Sequence, residues 1–141
     1  MRKSVSSLKK KCWKLCSIYI RLKYANKQGI VMCVTCGKKY PWKQIQAGHF
    51  IDGRTNGILF VEQGIHPQCY ACNVCKKGNK VEYYKYMQDR YGEDVIDDLR
   101  ARAKKTRKFY GYELELQIDE YKQKISELIL EKGIIGVTDK L

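Results

Sequence analysis

The chain has 141 residues, 44% of them hydrophobic, and its 28 Lys and Arg outnumber 15 Asp and Glu to give a net charge of +13. A length of this order makes one domain with a modest core. So much positive charge points to a polyanionic partner, nucleic acid first, over a merely soluble basic protein. No run approaches the ~20 apolar residues of a membrane span. The N-terminus also lacks the apolar stretch and cleavage site of a signal peptide. A soluble, cytoplasmic protein without a membrane partner is expected.

In chain order, residues 4–27 read as an amphipathic helix. Leu8, Cys12, Leu15, Tyr19 and Leu22 fall on one face, lysines cover much of the rest, and Gly29 stops it. Cys12 and Cys16 read as small core residues. From 30 to 75 the helical period gives way to short β-prone runs, Ile30 to Cys33, Ala47 to Ile51 and Ile58 to Val61. This stretch is poor in large apolar residues, and a metal could hold it. Helices follow over 76–90, opening after a Cys pair, and over 93–108, with Tyr91-Gly92 and Gly111 as breaks. A last, net-acidic helix over 113–132 carries Leu114, Ile118, Tyr121, Ile125 and Leu128 as a heptad seam. The seam allows either a homodimer or packing on the chain's own core.

Seven cysteines, an odd number with two C-x-x-C pairs, indicate metal binding in a reducing compartment and not a disulfide scaffold. Cys33 and Cys36 form one knuckle, with Gly37 suited to its tight turn, and Cys69 and Cys72 form the other. Two thiolates from each predict a closed, structural four-sulfur zinc site. Cys75 could take the place of Cys72. Zinc alone does not imply an enzyme. The two histidines, His49 and His66, both lie between the knuckles, and Asn73 follows Cys72 directly.

A C-x-x-C, a strand ending in His, and a C-x-x-C-N opening a helix resemble the zinc-bound subset of His-Asn-His nucleases. The chain more closely resembles the NinG (Rap) recombination proteins of lambdoid phages. The similarity is carried by Cys33-Val-Thr-Cys36-Gly37, Gly48-His49-Phe50, His66-Pro-Gln-Cys69-Tyr-Ala-Cys72-Asn73 and Lys77-Gly78-Asn79, and continues through Tyr91-Gly92, Val95 and Leu99. The resemblance covers roughly residues 8–130. It implies an α+β fold, a zinc-bound ββα-metal nuclease core flanked by N-terminal and C-terminal helices. Its segments would be a basic helix (1–29), the stapled core (30–92) and a helical extension (93–141).

The same resemblance implies that His49 is the general base that deprotonates the attacking water. Asn73 would offer its side-chain oxygen to a catalytic Mg²⁺ or Mn²⁺, hard cations that prefer oxygen. The reaction would be hydrolysis of a DNA phosphodiester to 5′-phosphate and 3′-hydroxyl ends, in branched recombination intermediates such as Holliday junctions or D-loops, in the bacterial host of a phage or prophage. Three positions depart from the pattern. Gly48 stands where many such nucleases carry an acidic metal ligand, and Asp52 is the nearest carboxylate that could substitute. Gly64 stands where a middle Asn is expected, and His66 could do its work, by orienting His49 or reaching the metal. Lys76 stands where phage junction resolvases of similar layout, such as endonuclease VII, can place an acid.

Candidate phosphate contacts are Arg54, Lys9, Lys10, Lys14, Lys76 and Lys77; for Arg54 a solvated surface role is the alternative. Asn56 with Gly57 reads equally as a turn dipeptide, and Asn79 as a helix cap. The main rival function is a non-catalytic zinc-ribbon module that binds nucleic acid. A homing or restriction nuclease would need a larger reading module than this chain holds.

Overall fold

The computed structural model describes residues 3–134; residues 135–141 of the expected C-terminal segment lie outside them. Helix α1 (Val5–Lys23) is opened by Ser4, whose hydroxyl accepts from the Ser7 amide at 3.1 Å. It ends four residues before the sequence predicts. The Asn26 side chain accepts from the amides of Gln28 and Ile30, and that turn competes with another helical turn.

Four short strands follow. β1 (Ile30–Met32) pairs antiparallel with β2 (Lys39–Pro41), and β3 (Gln46–His49) with β4 (Ile65–Gln68). The β-prone run at Ile58 to Val61 is a correction. It forms turns, and the partner of β3 is Ile65–Gln68 instead. Pro67 disguises that strand, yet a two-stranded sheet leaves room for a residue without an N–H.

A single π-helical turn, Ala71–Cys75, carries Cys72 of the second knuckle, and α2 (Lys80–Arg90) opens four residues later than the helix expected from residue 76. Then come α3 (Glu93–Lys104) and α4 (Gly111–Lys132). α3 stops four residues short of expectation. Thr55 donates to the Ala103 carbonyl and Asn56 to that of Arg107, so the 53–57 loop takes over the carbonyls at the helix end. A Cβ on Gly57 would lie 2.0 Å from the Arg102 carbonyl oxygen, so this approach needs glycine. α4 begins two residues early because the Glu113 carboxylate returns to the Tyr110 amide at 2.9 Å.

The seam of α4 packs inward. Leu114, Ile118, Tyr121 and Ile125 are buried in one cluster with Leu8, Cys12, Leu15 and Cys16 of α1. The two helices run in the same direction. A Cβ on Gly111 would lie 3.7 Å from Leu8, Tyr19 meets Tyr121 midway, and Lys132 donates to the carbonyls of Leu22, Lys23 and Ala25. That ammonium also complements the negative end of the α1 dipole. The stripe offered for a homodimer is therefore already covered by the chain's own first helix. Cys12 and Cys16 are core residues, as expected. A second cluster, Phe50, Tyr83, Met87, Ile96 and Leu99, joins the exit of β3 to α2 and α3.

Candidate functional site

The sulfurs of Cys33, Cys36, Cys69 and Cys72 lie within 4.8 Å of one another and could hold a metal ion such as zinc. Tetrahedral Zn–S bonds of about 2.3 Å would set neighbouring sulfurs about 3.8 Å apart; Cys36 Sγ and Cys69 Sγ are 3.7 Å apart. The first knuckle closes through the Gly37 amide on the Cys33 carbonyl, with Gly37 at a φ of +79°. Burial opposes ionisation of Cys33. Hydrogen bonds from Thr35 and from the backbone of Cys69, Thr35 and Cys36 outweigh it and bring the thiol down to about 6, which favours the thiolate a metal needs. Cys75 is exposed and outside the cluster, so Cys72 is the fourth sulfur. Asn79 stands at the N-cap of α2 but does not cap it. Its amide nitrogen lies 3.6 Å from Cys72 Sγ and 3.4 Å from the Thr35 carbonyl oxygen, a hydrogen bond behind the ligand shell.

The knuckles bracket the β3–β4 hairpin, and His49 ends β3. Its Nε2 lies 3.0 Å from the Leu59 carbonyl oxygen, which can only accept. Nε2 therefore carries the proton, and Nδ1 is left as the basic nitrogen. The ring stacks on Trp13 of α1 at 4.8 Å between centroids. Burial, followed by the charges of Arg54 and Lys80 and against the pull of the Leu59 carbonyl, lowers the His49 pKa to about 4. The imidazole is thus neutral near pH 7.

His66 does not do what the sequence predicts. It pairs with Gly48 across the hairpin, while His49 pairs with Ile65, so the two imidazoles leave the sheet on opposite faces. His66 is fully buried, with Nδ1 3.0 Å from the Tyr83 hydroxyl and Nε2 2.8 Å from that of Tyr91. Tyr83 spends its proton on the Gly48 carbonyl at 2.6 Å, so His66 Nδ1 donates to Tyr83 and Nε2 accepts from Tyr91. His66 fixes the backbone beside His49; the Leu59 carbonyl orients the His49 ring. Gly64 faces the second core, where a Cβ would lie 3.3 Å from Leu99, so no polar side chain is needed there.

His49 and Asn73 line one cavity of about 600 Å³. Asn73 sits in the π-helical turn, a local irregularity common at functional sites. Its amide donates to Gln46 Oε1 at 2.8 Å. Arg54 and Asp52 line the same cavity, Arg54 over the Trp13 ring at 4.6 Å. Asp52 is mostly exposed and ion-paired with Lys80 at 2.9 Å, and Lys80 also donates to the carbonyls of His49 and Phe50. Arg21 and Lys43 complete a cationic wall that the sequence reading missed. Trp13, Ser17 and Arg21 lie four residues apart, a second stripe on α1 that helical periodicity could have revealed.

The remaining lysines stand elsewhere. Lys9 and Lys10 border an adjoining cavity that shares Trp13 and Arg54 with the first, so a groove continues along α1. Lys9 is partly engaged, donating to Asn56 Oδ1 at 2.8 Å. Asn56 is thereby a structural link between α1 and the segment after α3. Lys14, Lys76 and Lys77 are exposed and do not line the His49 cavity.

An α+β chain with four clustered cysteines that could hold a metal ion, beside a basic, histidine-bearing cavity, is the class that fold and site define. The chain belongs to the NinG family: the family model described as Bacteriophage Lambda NinG protein matches residues 1–131. Protein ninG of Escherichia phage lambda is 32% identical over 100 residues, covering 68% of this chain and 47% of that protein. Protein ninG of Salmonella phage P22 is 33% identical over the same shares. The chain thus spans about half the length of the curated relatives it matches, 47% in both cases. No solved structure matches. Among the described residues, no helix is long and apolar enough to cross a membrane.

Proposed function

We propose that this protein is a metal-dependent DNA endonuclease of the His-Asn-His type, stapled by zinc, which cuts branched recombination intermediates in the cytoplasm of a phage host. The observation that carries the reading is His49. Its Nε2 is tied to a carbonyl, its Nδ1 lone pair is the basic site, and it shares a cationic cavity with Asn73. Nδ1 would take the proton of a water attacking phosphorus, and the 3′ oxygen would leave. Arg54, Arg21 and Lys43 would hold the phosphate in place. Asn73 Oδ1 would hold a divalent ion, with Asp52 a ligand only if it left Lys80. Bound there, Mg²⁺ or Mn²⁺ would supply charge stabilisation at the scissile phosphate and the leaving oxygen.

One observation favours the non-catalytic alternative, a zinc module that binds nucleic acid. Asp52, the one carboxylate in the cavity lining among the described residues, is already engaged by Lys80. The deciding experiment incubates the protein with matched linear and four-way junction DNA, with Mg²⁺ and with EDTA. The nuclease reading expects Mg²⁺-dependent cleavage of the junction that His49→Ala lowers by about 10²–10⁴-fold. Binding without cleavage under all conditions would establish the zinc module instead.

A further inference from the structure

Gly48 stands where a carboxylate ligand is expected, and its surroundings supply a different donor. Gln68, on β4, is fully buried. Its amide nitrogen donates to the Gly78 carbonyl at 2.9 Å and to Thr35 Oγ1 at 3.2 Å. The Gly78 carbonyl can only accept, so the amide cannot be turned over and Oε1 must be its other terminus. Oε1 is buried and has no hydrogen-bond partner. A Cβ on Gly48 would lie 2.0 Å from it and 3.0 Å from Asn73 Oδ1. Only glycine at 48 leaves room for Gln68 Oε1, which sits where a side chain would begin; two amide oxygens border the Gly48 backbone, one of them a buried acceptor without a donor. Folded proteins rarely leave such an atom unpaired without a functional reason.

We propose that Gln68 is a ligand of the catalytic divalent ion, its Oε1 acting with Asn73 Oδ1 in place of the carboxylate that Gly48 cannot provide. The proposal rests on the nuclease reading above. Amide carbonyl oxygens are oxygen donors of the kind hard cations take, and Mg²⁺ keeps several waters and accepts substrate phosphate oxygens, so protein oxygens need fill only part of its shell. They add no negative charge, so the ion binds weakly to the free protein and the phosphate completes its shell. Gln68 also couples the two metals. Its oxygen faces the catalytic ion, while its nitrogen is anchored to Thr35, which contacts Cys33 Sγ at 3.3 Å. Zinc thereby sets the position of a ligand to the second ion.

The test is Mn²⁺ binding by the full, zinc-loaded chain, read from the free-ion electron paramagnetic resonance signal, with zinc content and circular dichroism as fold controls. Gln68→Leu is expected to weaken Mn²⁺ binding at least tenfold. Gln68→Glu, which keeps an oxygen in place and adds charge, is expected to strengthen it at least tenfold. If the leucine variant loses its zinc, the glutamate variant decides alone. Wild-type Mn²⁺ affinity in Gln68→Leu, alongside loss in Asn73→Ala, overturns the role of Gln68 and leaves the ion and the nuclease reading standing. Affinity unchanged or weakened in a folded Gln68→Glu also overturns that role. Absence of any Mn²⁺ binding by wild type at millimolar ion overturns the proposal; junction cleavage persisting in EDTA overturns the metal-dependent mechanism beneath it.

Discussion

Replacing Tyr83 with Phe removes one oxygen from a fully buried chain of hydrogen bonds. That hydroxyl accepts from His66 Nδ1 and donates to the Gly48 carbonyl. In Tyr83→Phe, His66 keeps one hydrogen-bonding partner, Tyr91, whichever tautomer it adopts, so one ring nitrogen stays buried and unpaired. An orphaned buried polar group costs about 1–3 kcal/mol, and the Gly48 carbonyl loses a bond as well, so a loss of about 2 kcal/mol is expected. Tyr84→Phe is the matched control, because its hydroxyl donates to Glu93 at the surface and its loss should change stability by less than about 0.5 kcal/mol. Urea unfolding of both zinc-loaded variants near neutral pH measures the difference. Cleavage should fall in Tyr83→Phe alone, since Gly48 precedes His49. Equal stability of the two variants would refute the account of His66 as a backbone anchor.

Because burial lowers the His49 pKa to about 4, its protonation begins well below neutrality, which the nuclease proposal turns into a pH profile. The kcat/KM for cleavage should stay level from pH 7.5 to about 5.5, whereas a base with an ordinary pKa of roughly 6.5 would lose most of its activity there. Both imidazoles are lowered by burial, His66 to about 3, so between the unfolded pKa and these values the unfolded chain binds more protons. Stability is therefore fully present above about pH 6.5 and declines as pH falls toward 4, measurable by urea unfolding at stepped pH. Cys36→Ser or Cys69→Ser should abolish stoichiometric zinc and unfold the hairpin, seen by metal analysis and circular dichroism, while Cys75→Ser should retain both. Ile125→Ala should cost about 2–5 kcal/mol, and Ile118→Lys should unfold the chain instead of releasing folded monomers, as light scattering would report.

What was legible in the sequence was local chemistry and period. Cys33, Cys36, Cys69 and Cys72 announce themselves because a C-x-x-C turn can aim both sulfurs at one ion whatever surrounds it. The α1 and α4 stripes are legible because four-three spacing defines a face, although spacing does not say what covers it. β4 was hidden because Ile65–Gln68 is short and contains Pro67, while Ile58 to Val61 has the side chains of a strand and no partner to pair with. His66 was misplaced because the side of a strand that a residue occupies depends on register, which only the pairing with β3 fixes. Gln68 stood inside the most specific block of the resemblance without a role. What distinguishes it is the close approach of its amide oxygen to Gly48, twenty residues away, which no spacing rule records.

The same-direction pairing of α1 with α4 also bears on when the protein becomes complete. Trp13, which stacks on His49, sits on a helix whose buried face is closed by residues 111–132, which follow both cysteine knuckles in the chain. Contacts this distant in sequence form late. A growing chain therefore acquires both cysteine knuckles, and the means to hold a metal ion, before the wall behind His49 is secured. The cavity around His49 is thus the part of the fold that waits for α4.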